Sequence, residues 1–185
     1  MTEDQECYAC AREAGFAGLP PRERIAADAH WRVVHAVDCA LPGWLVLLPR
    51  RHLESMAELT DAEAASLGVW QVRLARALEA VTGCAKAYVA QFGEAPGFRH
   101  VHFHVVPRDA GLPVELRGPR VFGLLKAGAD AVPADRMDEL ATRLAAALGA
   151  PTTPTTPAAS EAAPPAAPAA PAAPEAAPPA APEHP

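Results

Sequence analysis

Arg99-His100-Val101-His102-Phe103-His104-Val105-Val106-Pro107-Arg108 is the stretch that decides both fold and chemistry. In an extended strand successive side chains point to opposite faces. Val101, Phe103 and Val105 therefore fall on one side, and His100, His102 and His104 on the other. The first set is what a core requires. The second places three of the chain's seven histidines at alternate positions, a costly arrangement on a merely solvated face. Imidazole titrates near neutrality, so one ring can attack while a neighbour handles a proton. A ring can also carry a covalent intermediate itself or bind a metal ion. A nucleophile with its proton handlers, a set of metal ligands, or both are open at this point.

Upstream of the histidines, Ala85 to Phe92 reads as a strand. The helix before it is announced by Thr60-Asp61-Ala62-Glu63, a capping box in which hydroxyl and carboxylate satisfy opposing backbone donors. Leu67, Trp70, Leu74, Leu78 and Val81 follow at helical spacing, and Gly83 stops the run. Gly43 to Pro49, entered through the Pro42-Gly43 turn signal, is an apolar strand covered on both faces. Glu23 to Ala27 and Trp31 to Val37 form a strand pair turning at Asp28-Ala29-His30. Beyond the histidines, Asp135 to Leu148 presents Met137, Leu140, Leu144 and Leu148 on one side of a second amphipathic helix. Strands, a long helix, further strands and a late helix make an α+β domain with a mostly antiparallel sheet. Trp70 belongs to the core, while His30 and His35 read as turn or strand-face residues.

The domain ends at about residue 150. Residues 151–185 contain fourteen Ala and twelve Pro and no Leu, Ile, Val or aromatic side chain. Such a segment cannot offset the entropy of ordering it, and it reads as a disordered Pro/Ala-rich tail. Truncation after Ala150 should move the thermal midpoint by no more than about a degree or two, the scale of a surface change. A drop of many degrees in a melting scan would mean that the tail packs on the domain.

The whole chain of 185 residues carries a formal charge of −6, which argues against binding a nucleic-acid polymer, since that requires a basic face. No run of eighteen apolar residues marks a membrane span, and the acidic Met1-to-Glu6 start does not resemble a signal peptide. A soluble cytoplasmic protein is expected. Of the four cysteines, Cys39 and Cys84 lie among apolar neighbours and read as small core residues. Cys7 and Cys10 form a C-x-x-C. In a reducing compartment that motif is a metal half-site or an ordinary pair of thiols, rather than part of a disulfide framework.

His100-Val101-His102-Phe103-His104-Val105-Val106 resembles the H-φ-H-φ-H-φ-φ signature of the histidine triad (HIT) superfamily of nucleotide hydrolases and transferases. The similarity extends to Pro42 through His52, which looks like the family's strand and following P-x-x-H segment, and covers about residues 7–108. The resemblance implies a five-stranded antiparallel sheet, usually paired into a homodimer. It also implies a nucleotide substrate attacked at its α-phosphorus by the middle histidine, here His102, with His104 and His100 beside it in the catalytic set. Adenosine phosphoramidates, dinucleoside polyphosphates and nucleotide sugars share that phosphorus. The zinc-bearing members further imply a structural zinc held by Cys7, Cys10, His52 and His100.

Two positions depart from the family pattern. The segment before the triad usually supplies a Gln and a hydroxyl to phosphate, whereas Gly93-Glu94-Ala95-Pro96-Gly97-Phe98-Arg99 is shorter and has neither. Gly97 and Arg99 are the candidate substrate-binding residues there, since guanidinium pairs bidentately with phosphate. Strict alternation aims Arg99 away from the triad, so that role requires the alternation to break at strand entry. Second, many members carry a histidine after the turn glycine, where this chain has Trp44. Two further readings stand beside the enzyme: a nucleotide-binding or regulatory module with little turnover, and a zinc-stabilised interaction protein that works through its Pro/Ala tail.

Overall fold

Five strands, each antiparallel to its neighbours, form one sheet in the order β1-β2-β3-β5-β4. They are β1 (Ala26–Ala27), β2 (Trp31–His35), β3 (Leu45–Pro49), β4 (Lys86–Gln91) and β5 (Phe103–Arg108). Among the described residues three α-helices accompany them: α1 (Tyr8–Ala14), α2 (Asp61–Thr82) and α3 (Ala134–Gly149). The computed structural model describes residues 7–149. The expected disordered tail over 151–185 lies outside the described residues.

The period-two pattern sorts the sheet into two unlike faces. Trp31, Val33, Leu45, Leu47, Phe103 and Val105 point to α2 and α3 and build the main core with Trp70, Leu74, Leu78, Leu140 and Leu144. On the opposite face Val46, Leu48 and Val106 meet two separate covers. One is α1, through Cys7 and Ala9. The other is the irregular segment after β5, through Leu112, Val121 and Phe122. The histidines share this second face, so the site lies where those two covers leave the sheet accessible. Among the described residues no helix is long and apolar enough to cross a membrane.

The other expected elements shift by only one or two residues at their ends, and the element limits that depart from the sequence reading with a consequence for the site are those of β5, β1 and β3. β5 begins at Phe103, not at His100. The ladder with β4 ends at the Gln91–Phe103 pair, after which Gly93 takes φ +82 and the loop departs. The His100 N–H turns back to the Phe98 carbonyl, 2.8 Å away. From His100 onward the alternation survives without the ladder, because the Val101 N–H still donates to the Leu53 carbonyl at 2.7 Å and its side chain is fully buried. The turn from Phe98 to His100 breaks it at Arg99, which is exposed. β1 is only two residues long, because Pro21 sets a 3-10 turn over Pro21–Glu23. β3 starts at Leu45, because Gly43 occupies φ +83, and a side chain there would also meet the Thr82 methyl at 3.2 Å.

The capping box of α2 forms as expected and is reinforced from outside. The Thr60 N–H donates to Glu63 at 2.8 Å, while Arg51 clamps both Glu63 oxygens at 2.7 Å. Hydrogen bonding from Arg51 holds the Glu63 carboxyl down at about 2 against the cost of burial. A depressed carboxylate stabilises the fold above its unfolded value, and the gain is lost as pH falls through the folded one. Glu63→Gln should therefore melt a few degrees below the parent at pH 7. The gap should close as pH falls from about 4.5 to about 2. A gap that does not change with pH in thermal scans would rule out the ionised cap as its source.

Candidate functional site

His102 and His104 project side by side from the start of β5, their ring centroids 4.9 Å apart and nearly perpendicular. The proton on each triad ring can be placed from its partners, since a carbonyl only accepts. His102 Nδ1 lies 2.6 Å from the His100 carbonyl, so that nitrogen carries the proton and, in the neutral ring, Nε2 keeps its lone pair. His100 Nε2 lies 2.9 Å from the Pro49 carbonyl and is likewise protonated. Its Nδ1 lone pair then faces the Sγ atoms of Cys7 at 3.5 Å and Cys10 at 3.7 Å. Burial pushes His100 down to about 4, so the ring is neutral near pH 7.

His104 is fixed by a residue that the sequence marks only as a departure. The Trp44 indole N–H donates to His104 Nδ1 at 3.0 Å, which leaves the His104 proton on Nε2. Burial, and then the neighbouring His102, push His104 down to about 4. Register explains the encounter: Val46 pairs with His104 across β3 and β5, and Trp44 is two residues before Val46 on the same face. The turn that delivers Trp44 is held by His35, whose buried Nδ1 donates to the Ala36 carbonyl at 2.8 Å while Nε2 accepts from the Gly43 N–H at 3.0 Å. His35 is thus a buried turn anchor. Phe122 stands edge-on to both Trp44 and His104. Nothing in sequence spacing announces Phe122, because it comes from a 3-10 helix (Gly118–Leu124) in the segment after β5, which carries no helical or strand periodicity.

The four cysteine and histidine residues expected to bind metal come together. Their ligand atoms all lie within 4.8 Å of one another. Cys7 caps α1 and Cys10 lies in its first turn, while His52 Nδ1 is 3.3 Å from Cys10 Sγ. Tetrahedral zinc, with sulfur at about 2.3 Å and nitrogen at about 2.0 Å, sets S···N edges near 3.5 Å. The observed 3.3, 3.5 and 3.7 Å contacts match that scale. His100 also has the outer hydrogen bond to a carbonyl that orients a ligating imidazole. The donor set therefore fits zinc.

The two loop residues separate in role. Gly97 has its carbonyl taken by the Tyr8 N–H at 3.0 Å, and the next residue, Phe98, packs on the Tyr8 ring at 5.3 Å. Both contacts dock α1. Arg99 is exposed on that loop. Beneath α1, the buried Arg32 donates to the Ala9 carbonyl at 2.8 Å and pairs with Glu13 at 3.2 Å. The cysteine-bearing turn is thus held by the protein as well as by any metal. Cys39 and Cys84 are buried core residues, and burial raises the Cys39 thiol to about 11.

Known structures share this architecture. A zinc-bound histidine triad family protein from Mycobacterium smegmatis is 21% identical with a TM-score of 0.59, over 78% of this chain and 94% of that one. Histidine triad proteins from Sinorhizobium meliloti and Bradyrhizobium japonicum are 28% and 25% identical, with TM-scores of 0.56 and 0.57. The first match covers 72% of this chain and 91% of the relative, the second 68% and 89%. No curated protein matches the sequence. The model of the HIT domain matches residues 20–111, from the turn before β1 to just beyond the three histidines. With the fold and the aligned imidazoles in agreement with that match, the chain belongs to the HIT domain family.

Proposed function

We propose that this protein is a nucleotidyl hydrolase or transferase acting at the α-phosphorus of a nucleotide through a covalent nucleotidyl-histidine on His102. The observation that carries the reading is the 2.6 Å contact from His102 Nδ1 to the His100 carbonyl. It leaves Nε2 as the unprotonated, outward nucleophile, and the carbonyl steadies the positive charge that develops on the ring as Nε2 bonds to phosphorus. His104 offers its Nε2–H to a phosphoryl oxygen. Arg99, on the loop entering the triad, is the substrate-binding cation, and Gly97 shapes that loop. Attack forms the His102 N–P bond and releases the leaving group, and water or an acceptor then takes the nucleotidyl group and frees His102.

Cys7, Cys10, His52 and His100 hold a structural zinc in this reading, and the zinc-bound mycobacterial relative supports it. When bound, zinc cross-links α1 to the sheet and takes no part in bond making. Cysteines that serve as metal ligands suit the reducing cytoplasm. The family resemblance carries a homodimer, to be checked by sedimentation.

The test is a panel of nucleotide phosphoramidates, dinucleoside polyphosphates and nucleotide sugars, with products identified and the protein quenched in alkali during turnover. The intact mass should rise by one nucleotidyl group, located on His102. Tight nucleotide binding with neither adduct nor product would instead make the chain a binding module. That alternative draws on the loop over 93–99, which lacks the family's Gln and hydroxyl.

A further inference from the structure

The Trp44–His104 hydrogen bond has a chemical consequence for the group that departs. Trp44 is fully buried and lies edge-on to His104 at 5.6 Å and Phe122 at 5.2 Å, so the indole is fixed in place. Indole N–H can only donate, and it has no lone pair to exchange. His104 Nδ1 must therefore stay unprotonated for the 3.0 Å bond to exist. A neutral imidazole donates a hydrogen bond but does not release its proton near neutrality. Only imidazolium is an acid there. Becoming imidazolium would set a second N–H against the indole N–H, on a nearly buried ring packed edge-on by Phe122.

The other rings are no better placed as acids. The His102 proton is committed to the His100 carbonyl, and the His100 proton to the Pro49 carbonyl. The loop over 93–99 contributes no hydroxyl, its one carboxyl, Glu94, is exposed and hydrogen-bonds to no triad ring, and Arg99 is too weak an acid to serve.

We propose that Trp44 is a specificity-determining positioning residue: by holding His104 as a neutral Nε2–H donor it leaves the departing group without a proton source, so the site favours nucleotidyl substrates whose leaving group departs as a stable anion. The proposal rests on His102 being the nucleophile. His102 Nε2 forms the N–P bond as the bond from phosphorus to the leaving oxygen breaks, and the electron pair stays on that oxygen. Water then forms the new O–P bond, the N–P pair returns to Nε2, and the proton of water passes to solvent. A phosphoanhydride or an acidic phenol ester can leave this way. An amine must be protonated first and is disfavoured.

The full chain, Trp44→Phe and Trp44→His test this with two readouts. The first is the tautomer of His104, read by long-range nitrogen–proton NMR on histidine-labelled protein. The parent should show Nε2 protonated and Nδ1 bare, while Trp44→Phe, which keeps an aromatic ring but loses the donor, should show a mixture. The second is kcat/KM across nucleoside 5′-monophosphate phenyl esters of graded phenol acidity. The parent should lose several-fold in rate for each unit of rising phenol pKa. Trp44→His, which puts a protonatable partner beside His104, should flatten that slope, which loss of packing alone would not do. A parent His104 protonated on Nδ1, or one slope shared by the parent and Trp44→His, overturns the proposal. No adduct and no turnover with any ester overturns the nucleotidyl-histidine reading and this proposal with it. The NMR result tells that failure apart from failure of the Trp44 lock.

Discussion

His102→Ala is expected to abolish the nucleotidyl adduct and to lower kcat/KM by about 10⁵–10⁶-fold, the scale on which removing an enzyme nucleophile acts. The expectation follows from the division of labour among three rings that differ little in sequence context. His100 directs its lone pair at two thiols and is almost fully buried. His104 has its Nδ1 occupied by Trp44 and presents only a proton. His102 alone combines a bare Nε2 with a partly accessible ring and a carbonyl behind it. His104→Ala should be milder, roughly 10²–10³-fold, the cost of one donor to a developing oxyanion. Both variants should retain the metal, since neither residue is among its ligands. Rapid-quench mass analysis with metal content measured on the same preparations is the check. Wild-type turnover in His102→Ala, or a label on another residue, removes the nucleophile assignment.

How much of this is legible in the sequence varies with the kind of signal. The alternation of Val101, Phe103 and Val105 against the histidines survived even though the ladder begins at Phe103, because burial fixes which face is core whether or not the strand is paired. The α2 capping box was legible because both partners are local, Thr60 and Glu63. Arg51, twelve residues upstream, was not, since no short-range rule couples a solvated arginine to a distant cap. The Cys7, Cys10, His52 and His100 grouping could be expected only through a family resemblance, as the cysteines reach His100 across some ninety residues. Trp44 stood out as a departure, but its hydrogen bond depends on the register of β3 against β5, which one sequence does not specify. His35 reads from sequence as a turn or strand-face residue, and the structure makes it the buried anchor of the turn that carries Trp44, a role set by a backbone N–H rather than by any side-chain pattern.

Cys10→Ser is expected to take the zinc content from about one per protomer to a small fraction of that and to lower the thermal midpoint by roughly 10 °C. At free metal a thousandfold above its dissociation constant, linkage contributes about 4 kcal/mol, and each kcal/mol is worth about 2–4 °C in a domain of this size. The loss should be local before it is global. α1 is seven residues long, too short to persist as a helix unless it is docked. Without metal its docking rests on Cys7 and Ala9 packed against Leu48, the Arg32 bond to the Ala9 carbonyl, the pairs of Glu13 with Arg32 and Arg50 and of Arg12 with Glu23, and the Tyr8 contacts with Gly97 and Phe98. These hold the helix near the sheet, while the main core on the opposite face, built on α2 and α3, is untouched. Hydrogen exchange should therefore quicken over Tyr8–Ala14 and the 97–102 stretch, with little change in α2. Turnover should fall by a modest factor, because the His100 backbone that orients His102 is no longer tied down by its own ring. Elemental analysis, a melting scan and exchange mapping test the three parts separately. A parent protein purified without metal and melting where Cys10→Ser melts would show that the two thiols and two imidazoles converge without holding an ion.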